Sequence, residues 1–305
     1  MSDNTTRRRF VQLSGGAAAL ALAGCASDDA TPSDEEMDGT TTGEGMDDGM
    51  TEEETDDEMT AEEMDNDGMD DTMGEPTMFT VRLENVAPTD FYGADTSTAG
   101  QVWITPGAFA VHTETNPIFT EDEPASIGLE ALAEAGPPTG FDGEPGLVDE
   151  LSEADNVISA GTYTPDNTVS DPNDPLGEVP GAPPIAPGGA FEFDIEAEPG
   201  QKLSFASMFV PSNDVFFSPD QAAISLFDSD DNPVDGDVTD TVELWDAGTE
   251  PNVEPPGEGP NQAPAQDSPN QGDDEGGVVR LLADVGDGYE YPDISDAIQV
   301  TLTPK

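Results

Sequence analysis

The stretch "MFTVRLENV", residues 78–86, decides the fold class of this chain. Phe79, Val81 and Leu83 alternate with polar residues, which is the period of a strand with one buried face. Turns rich in Gly and Pro separate this segment from further strand-like segments. These are Gln101–Thr105, Ala108–Thr113, Asn156–Ser159, Ala190–Glu196, Lys202–Val210, Ala222–Phe227, Thr241–Trp245, Val278–Ala283 and Asp296–Thr303.

Helical patterns occur in two short segments. "SIGLEALAEAG" (126–136) has apolar residues at helical spacing, and Leu147–Glu153 predicts a second short helix. A parallel α/β sheet would need a helix between most strands. The sequence therefore predicts an all-β fold: an antiparallel β-sandwich with one or two short helices and long loops, spanning 77–305. Its longest loop, 251–277, is rich in Pro and Gly, and such loops in compact domains are usually functional or disordered.

The first 24 residues predict an export signal. Arg7 and Arg8 resemble the twin-arginine signal for export of folded proteins, and the apolar run that follows is far shorter than the roughly 20 residues of a membrane span. That run ends in Leu-Ala-Gly-Cys25, which resembles a lipobox. Cys25 is the only cysteine, so no intramolecular disulfide can form. We expect an exported protein that Cys25 anchors by lipid to the outer face of the cytoplasmic membrane.

Residues 25–76 predict a disordered acidic tether. They hold Asp, Glu, Thr, Gly and Met and almost no large aliphatic or aromatic residue, so little apolar surface could be buried. Seven methionines lie here, and thioethers bind Cu(I). The hard carboxylate neighbours and the absence of an accompanying His or Cys ligand favour a tether without a metal.

The charge of the chain excludes several partners. Asp and Glu number 68 against 7 Lys and Arg, which gives a formal net charge of −61. Nucleic acid and anionic lipid headgroups would be repelled. At molar salt the Debye length is about 3 Å, so the self-repulsion is screened. The composition therefore resembles that of proteins from extreme halophiles.

The common catalytic arrangements are missing from the sequence. No Gly-x-Ser-x-Gly run exists, and the only histidine, His112, ends a strand-like segment, where a structural role is expected. One His and one Cys cannot supply a zinc site of the usual kind. We therefore expect a protein that is not an enzyme.

The remaining kind of site is one that binds a cation through oxygen ligands, and two segments are candidates for it. "DSDDNPVDGD" (228–237) superficially resembles a Ca²⁺ loop, but Pro233 stands where that loop needs Gly, and Thr239 stands where it needs Glu. It is interpreted as a polar hairpin turn. "VPSNDVFF" (210–217) and "LWDAGTE" (244–250) are better candidates, because each places an acid just past an apolar strand.

These last two segments resemble motifs of the spondin-domain family. Residues 203–214, "LSFASMFVPSND", are similar to the family's Ser-Phe-x-Ser-Met-x-x-Pro-Ser-x-Asp motif, and 244–250, "LWDAGTE", to its Asp-Ala-Gly-Thr-acid motif. "FTVRLENV", "AVHTETNPIFT" and "GLEALAEAG" extend a weaker similarity over roughly 78–304.

The resemblance implies a β-sandwich with Ca²⁺ at one edge, held here by Asp214, Asp246 and Glu250. The last acid is often Asp in animal members, so the denticity of Glu250 stays open. We expect an adhesion module that contacts a surface-layer protein, a matrix or a glycan, but the specific matrix partners of the animal members do not carry over to this sequence. A solute- or glycan-binding surface lipoprotein is the alternative. The sequence does not predict the oligomeric state.

Overall fold

The computed structural model describes residues 76–94, 96, 98–170, 184–253 and 272–305. The predictions for the signal peptide, for Cys25 and for nearly all of the tether concern residues outside these ranges, as does most of the 251–277 loop. Within the described ranges, no helix is long and apolar enough to cross a membrane.

Twelve strands and three short α-helices make up the described part of the chain. The strands are β1 (Thr77–Asn85), β2 (Trp103–His112), β3 (Val157–Tyr163), β4 (Thr168–Ser170), β5 (Ala190–Ala197), β6 (Lys202–Val210), β7 (Val215–Pro219), β8 (Ile224–Ser225), β9 (Gly236–Asp237), β10 (Val242–Asp246), β11 (Arg280–Leu281) and β12 (Ile298–Pro304). The helices are α1 (Ile127–Ala135), α2 (Leu147–Glu153) and α3 (Leu282–Val285), and 3₁₀ turns cover Pro165–Asn167, Thr239–Thr241 and Ile294–Asp296.

The strands form two antiparallel sheets, which confirms the predicted fold class. The five-stranded sheet has the order β4-β5-β1-β12-β9. The seven-stranded sheet has the order β11-β10-β7-β6-β2-β3, and β8 pairs with β6 beside it. The first strand of the domain therefore lies between β5 and β12, in the middle of its sheet.

The main core contains the apolar faces of both sheets. Phe79, Val81 and Leu83 of β1 are fully buried, as their alternation predicts, and they belong to one cluster with residues of β5, β6 and β12. Tyr163 of β3 stacks on Phe193 of β5 with ring centroids 5.0 Å apart. Burying one such side chain contributes about 1.5–3 kcal/mol.

A second core covers the other face of the seven-stranded sheet. Small residues of β2 and β6, including Ala108 and Ala206, leave room for Leu132 of α1 and Leu147 of α2 in the same cluster. Both faces of the middle strands are thus buried, which explains why β6 does not alternate. The Ser126 hydroxyl caps α1 by accepting a hydrogen bond from the backbone N–H of Leu129.

The two strands predicted over 101–105 and 108–113 are one continuous strand, β2, so the predicted break was wrong. The chain passes through Pro106, and the pairing of β2 with β6 shifts register between Ile104 and Gly107. A side chain at Gly107 would lie 2.2 Å from the Tyr163 hydroxyl. A β-bulge therefore accommodates the proline that indicated a break.

Two other strand predictions had wrong boundaries, and one fully buried strand was missed. The strand predicted over 222–227 forms only at Ile224–Ser225, and the strand predicted over 278–283 pairs only at Arg280–Leu281 before α3 begins. β7 was not predicted, because "VFFSP" has no alternation. All five of its residues are buried.

Candidate metal centre

The topology brings the two acidic motifs to one end of the seven-stranded sheet. Asp214 immediately precedes β7, and Asp246 is the last residue of β10. These strands are antiparallel neighbours, with Asp246 opposite Val215 on one side and opposite Arg280 of β11 on the other. The start of β7 and the end of β10 therefore coincide, as the placement of each acid past an apolar strand predicts.

Asp214 is fully buried, and only one of its two carboxylate oxygens accepts hydrogen bonds from the described residues. Its Oδ2 accepts hydrogen bonds from the backbone N–H of Thr249 (2.8 Å) and of Glu250 (3.2 Å). Its Oδ1 has no hydrogen-bond partner among the described residues. A buried carboxylate oxygen without a partner is costly, because water is lost and nothing replaces it.

Gly248 allows the second motif to fold back onto Asp214. Its φ of +68° is in the left-handed region, and an added Cβ would lie 2.5 Å from the carbonyl oxygen of Val278. This position therefore requires glycine, both for the backbone conformation and for the close approach to Val278. The turn at Gly248 presents the backbone N–H groups of Thr249 and Glu250, which donate hydrogen bonds to Asp214.

Asp246 is also fully buried, but both of its oxygens have partners. Oδ1 accepts from Nε of Arg280 at 3.2 Å, and Oδ2 accepts from the amide of Asn252 at 2.6 Å. The same guanidinium donates to Glu275 at 2.8 Å. Arg280 therefore joins Asp246 to Glu275, near the end of the 251–277 loop.

The Glu250 carboxylate is held by a separate set of donors. Oε2 accepts from the Asn213 amide at 3.0 Å, and Oε1 accepts from the backbone N–H of Gly272 at 2.8 Å. A Cβ on residue 272 would lie 2.2 Å from this carboxylate, so a larger residue there would have to displace the Glu250 side chain. Glu250 thus contributes its backbone N–H, rather than its side chain, to Asp214.

Burial disfavours the charged form of all three acids. It raises the pKa of Asp214 well above its usual range, and the charge of Asp246 adds to that rise. Burial also raises the pKa of Asp246, although Arg280 opposes the rise. Burial also raises the pKa of Glu250, whereas the hydrogen bonds from Asn213 and Gly272 act to lower it.

The described residues bring the predicted ligands together only in part. Asp214 and Asp246 are close enough to perturb each other's ionisation, whereas the Glu250 carboxylate is turned toward Asn213 and Gly272. No set of three His, Cys, Asp or Glu side chains among these residues is grouped as the ligands of one metal ion. Sequence reasoning missed Arg280 and Glu275. The small number of basic residues in so acidic a chain was the one signal that marked Arg280.

The competing acidic segment is a turn, as interpreted from the sequence. The Asp228 carboxylate accepts hydrogen bonds from the backbone N–H groups of Asp230 and Asn232, and Phe227 bridges to Pro233. The remaining candidate, His112, is fully buried, and its Nε2 lies 2.9 Å from the Ser204 hydroxyl.

Comparison with known proteins found neither a matching family model nor a matching curated relative.

Proposed function

We propose that this chain is a lipid-anchored cell-surface protein of the spondin-domain type, which binds Ca²⁺ structurally and acts in adhesion or surface-layer contact rather than in catalysis. The observation that supports the cation best is Asp214, a fully buried carboxylate whose Oδ1 has no partner among the described residues. A bound cation would supply the missing partner and the missing positive charge.

The donor set suits a hard cation. Asp214, Asp246 and Glu250 would hold it, because Ca²⁺ takes carboxylate and carbonyl oxygens in a flexible shell. Each carboxylate oxygen has two lone pairs, so Asp246 and Glu250 can keep their present donors and still coordinate. When bound, the ion neutralises charge and ties the turn after β6 to the turn after β10. Its role is therefore to stabilise the loops at this end of the sandwich.

Calcium binding is tested by calorimetry and equilibrium dialysis of the full-length chain at constant molar NaCl. We expect one Ca²⁺ per chain with a Kd of roughly 10⁻⁴ to 10⁻³ M, as in other extracellular modules. Asp246→Asn should weaken that binding at least about tenfold, while Asp230→Asn in the turn after β8 should leave it unchanged. Equal binding by both variants and the wild type would refute the assignment.

The cellular part of the proposal rests on the signal sequence and on Cys25. Cys25→Ser should release the protein from membranes or leave the precursor uncleaved, and Arg7 and Arg8 changed to Lys should block export. A surface partner should be retained in a pull-down from intact surface layers and lost with a chelator. Retention of the Cys25→Ser protein on salt-washed membranes would exclude the lipid anchor.

A further inference from the structure

A cavity of about 340 Å³ opens beside β10 and the segment 286–294. It lies within the size range of small-molecule sites, roughly 300–1,000 Å³. Tyr289 and Tyr291 line it together with the aliphatic side chains of Leu244 and Ile294. Tyr289 is 36% exposed. Large aromatic side chains at the mouth of a cavity provide contact area for a ligand.

The segment that carries both tyrosines is held in one conformation by its own hydrogen bonds. The Asp287 carboxylate accepts from the backbone N–H of Tyr289 and from the hydroxyl of Tyr291, both at 3.0 Å. Gly286 and Gly288, at φ +69° and +82°, provide the backbone turn on either side of it. The ring of Tyr291 also packs against Phe209, with centroids 6.0 Å apart. The aromatic wall is therefore formed before any ligand arrives.

The charge of the cavity is negative. Glu243, Asp287 and Asp293 contribute to its lining, and none of the described residues that line it is Lys, Arg or His. Asp287 is occupied by the two tyrosines, but the carboxylate of Glu243, half-buried on β10, makes no hydrogen bond or ion pair with the described residues. A ligand with a positive charge would therefore find a carboxylate in the cavity lining that has no partner among the described residues.

We propose that this cavity binds a small organic cation of the quaternary ammonium class. Tyrosine rings attract such cations through their negative faces, and alkyl groups on nitrogen contact the aliphatic wall. Glu243 and Asp293 supply the opposite charge. A bare metal ion is disfavoured, because most of the lining is apolar and the Asp287 oxygens already accept hydrogen bonds. None of the proposed calcium ligands lines this cavity, so the proposal does not rest on calcium binding.

The test compares choline with its uncharged isostere 3,3-dimethylbutan-1-ol, using the full-length chain at constant molar NaCl. Saturation transfer from the protein to the methyl signals reports binding of each probe by NMR. We expect choline to bind at least about fivefold more tightly than the isostere, because charge is the only large difference between them. Equal binding of the two probes, or no transfer to choline at millimolar concentrations, would overturn the proposal.

Variants then locate the site. Tyr289→Ala and Glu243→Gln should each weaken choline binding about five- to tenfold. Glu196→Gln, which removes an exposed carboxylate from β5 in the other sheet, should leave it unchanged. Asp293→Asn provides a second, exposed position if Tyr289→Ala does not fold. An unchanged choline affinity in Glu243→Gln and Asp293→Asn would rule out this cavity, whereas Asp214→Asn should lose calcium and keep choline.

Discussion

Replacing Asp214 by Asn should have opposite effects on the protein with and without calcium. The amide is the same size as the carboxylate. Its oxygen can still accept hydrogen bonds from the backbone N–H groups of Thr249 and Glu250. The substitution replaces a buried carboxyl group whose Oδ1 has no hydrogen-bond partner among the described residues. It also removes an oxygen that a cation needs.

The expected magnitudes follow from these contacts. A buried polar group without a partner costs about 1–3 kcal/mol, and more when it is charged, so in chelator the Asp214→Asn substitution should raise the free energy of unfolding by about that amount. In the wild type, calcium at a hundredfold excess over its Kd should add about 2.7 kcal/mol. In a domain of this size, 1 kcal/mol moves the unfolding midpoint by about 2–4 °C, so calcium should shift the wild type by about 5–11 °C.

The assay is thermal unfolding of the full-length chain at constant molar NaCl, with chelator or with Ca²⁺. Wild type should be less stable than Asp214→Asn in chelator and should gain most from calcium, while Asp214→Asn should gain almost nothing. Asp230→Asn, in an exposed turn, should behave as wild type in both conditions. If Asp214→Asn is destabilised in chelator and responds to calcium like wild type, Asp214 is neither a strained charge nor a ligand.

Other substitutions test the remaining features. Arg280→Gln should lower the unfolding midpoint in chelator but enlarge the gain from calcium, because the Asp246 charge then lacks its counter-ion; a role in packing alone would leave that gain unchanged. Gly272→Ala should cost about 1–3 kcal/mol, measured by denaturant unfolding, because the added methyl would overlap the Glu250 carboxylate. Burial lowers the pKa of His112 to about 4. Since the unfolded state then takes up the proton first, stability should fall as the pH drops from about 6.5 toward 4. His112→Gln should remove that part of the slope in a difference curve against wild type, and an unchanged slope would exclude His112 as its source.

Much of the fold was predictable, because the pattern of apolar residues in strands such as β1 matches the pattern of buried positions. β1 alternates because one of its faces packs in the core and the other faces water. The helices α1 and α2 were predicted because their apolar residues repeat at helical spacing, whereas the short α3 was not predicted. β7 shows no alternation of apolar and polar residues, because all of its residues are buried. β2 contains a bulge at Pro106, which the local sequence does not indicate. Only the pairing of distant strands reveals such elements.

The placement of Asp214 and Asp246 at one end of a sheet was predictable, but their contacts were not. Two acids past the ends of apolar strands indicated one sheet edge, and β7 and β10 place them there. Nothing local to "DAGTE" indicates that Arg280 lies opposite Asp246, since their pairing depends on a short strand that follows a long loop. The direction of the Glu250 side chain likewise depends on Gly272, which is 22 positions away.

The central position of β1 affects how the domain can be made. β1 emerges first from the ribosome, yet its neighbour β12 contains residues 298–304, so the five-stranded sheet cannot close while the C-terminal segment is still inside the exit tunnel. Pairing between ends so far apart in the chain is slow, because a very long loop must close first. The five-stranded sheet of this domain therefore closes only after residues 298–304 have left the exit tunnel. A translocon that threads chains as they are synthesised would have to secrete an open sheet, whereas an exporter of finished proteins would receive a closed one.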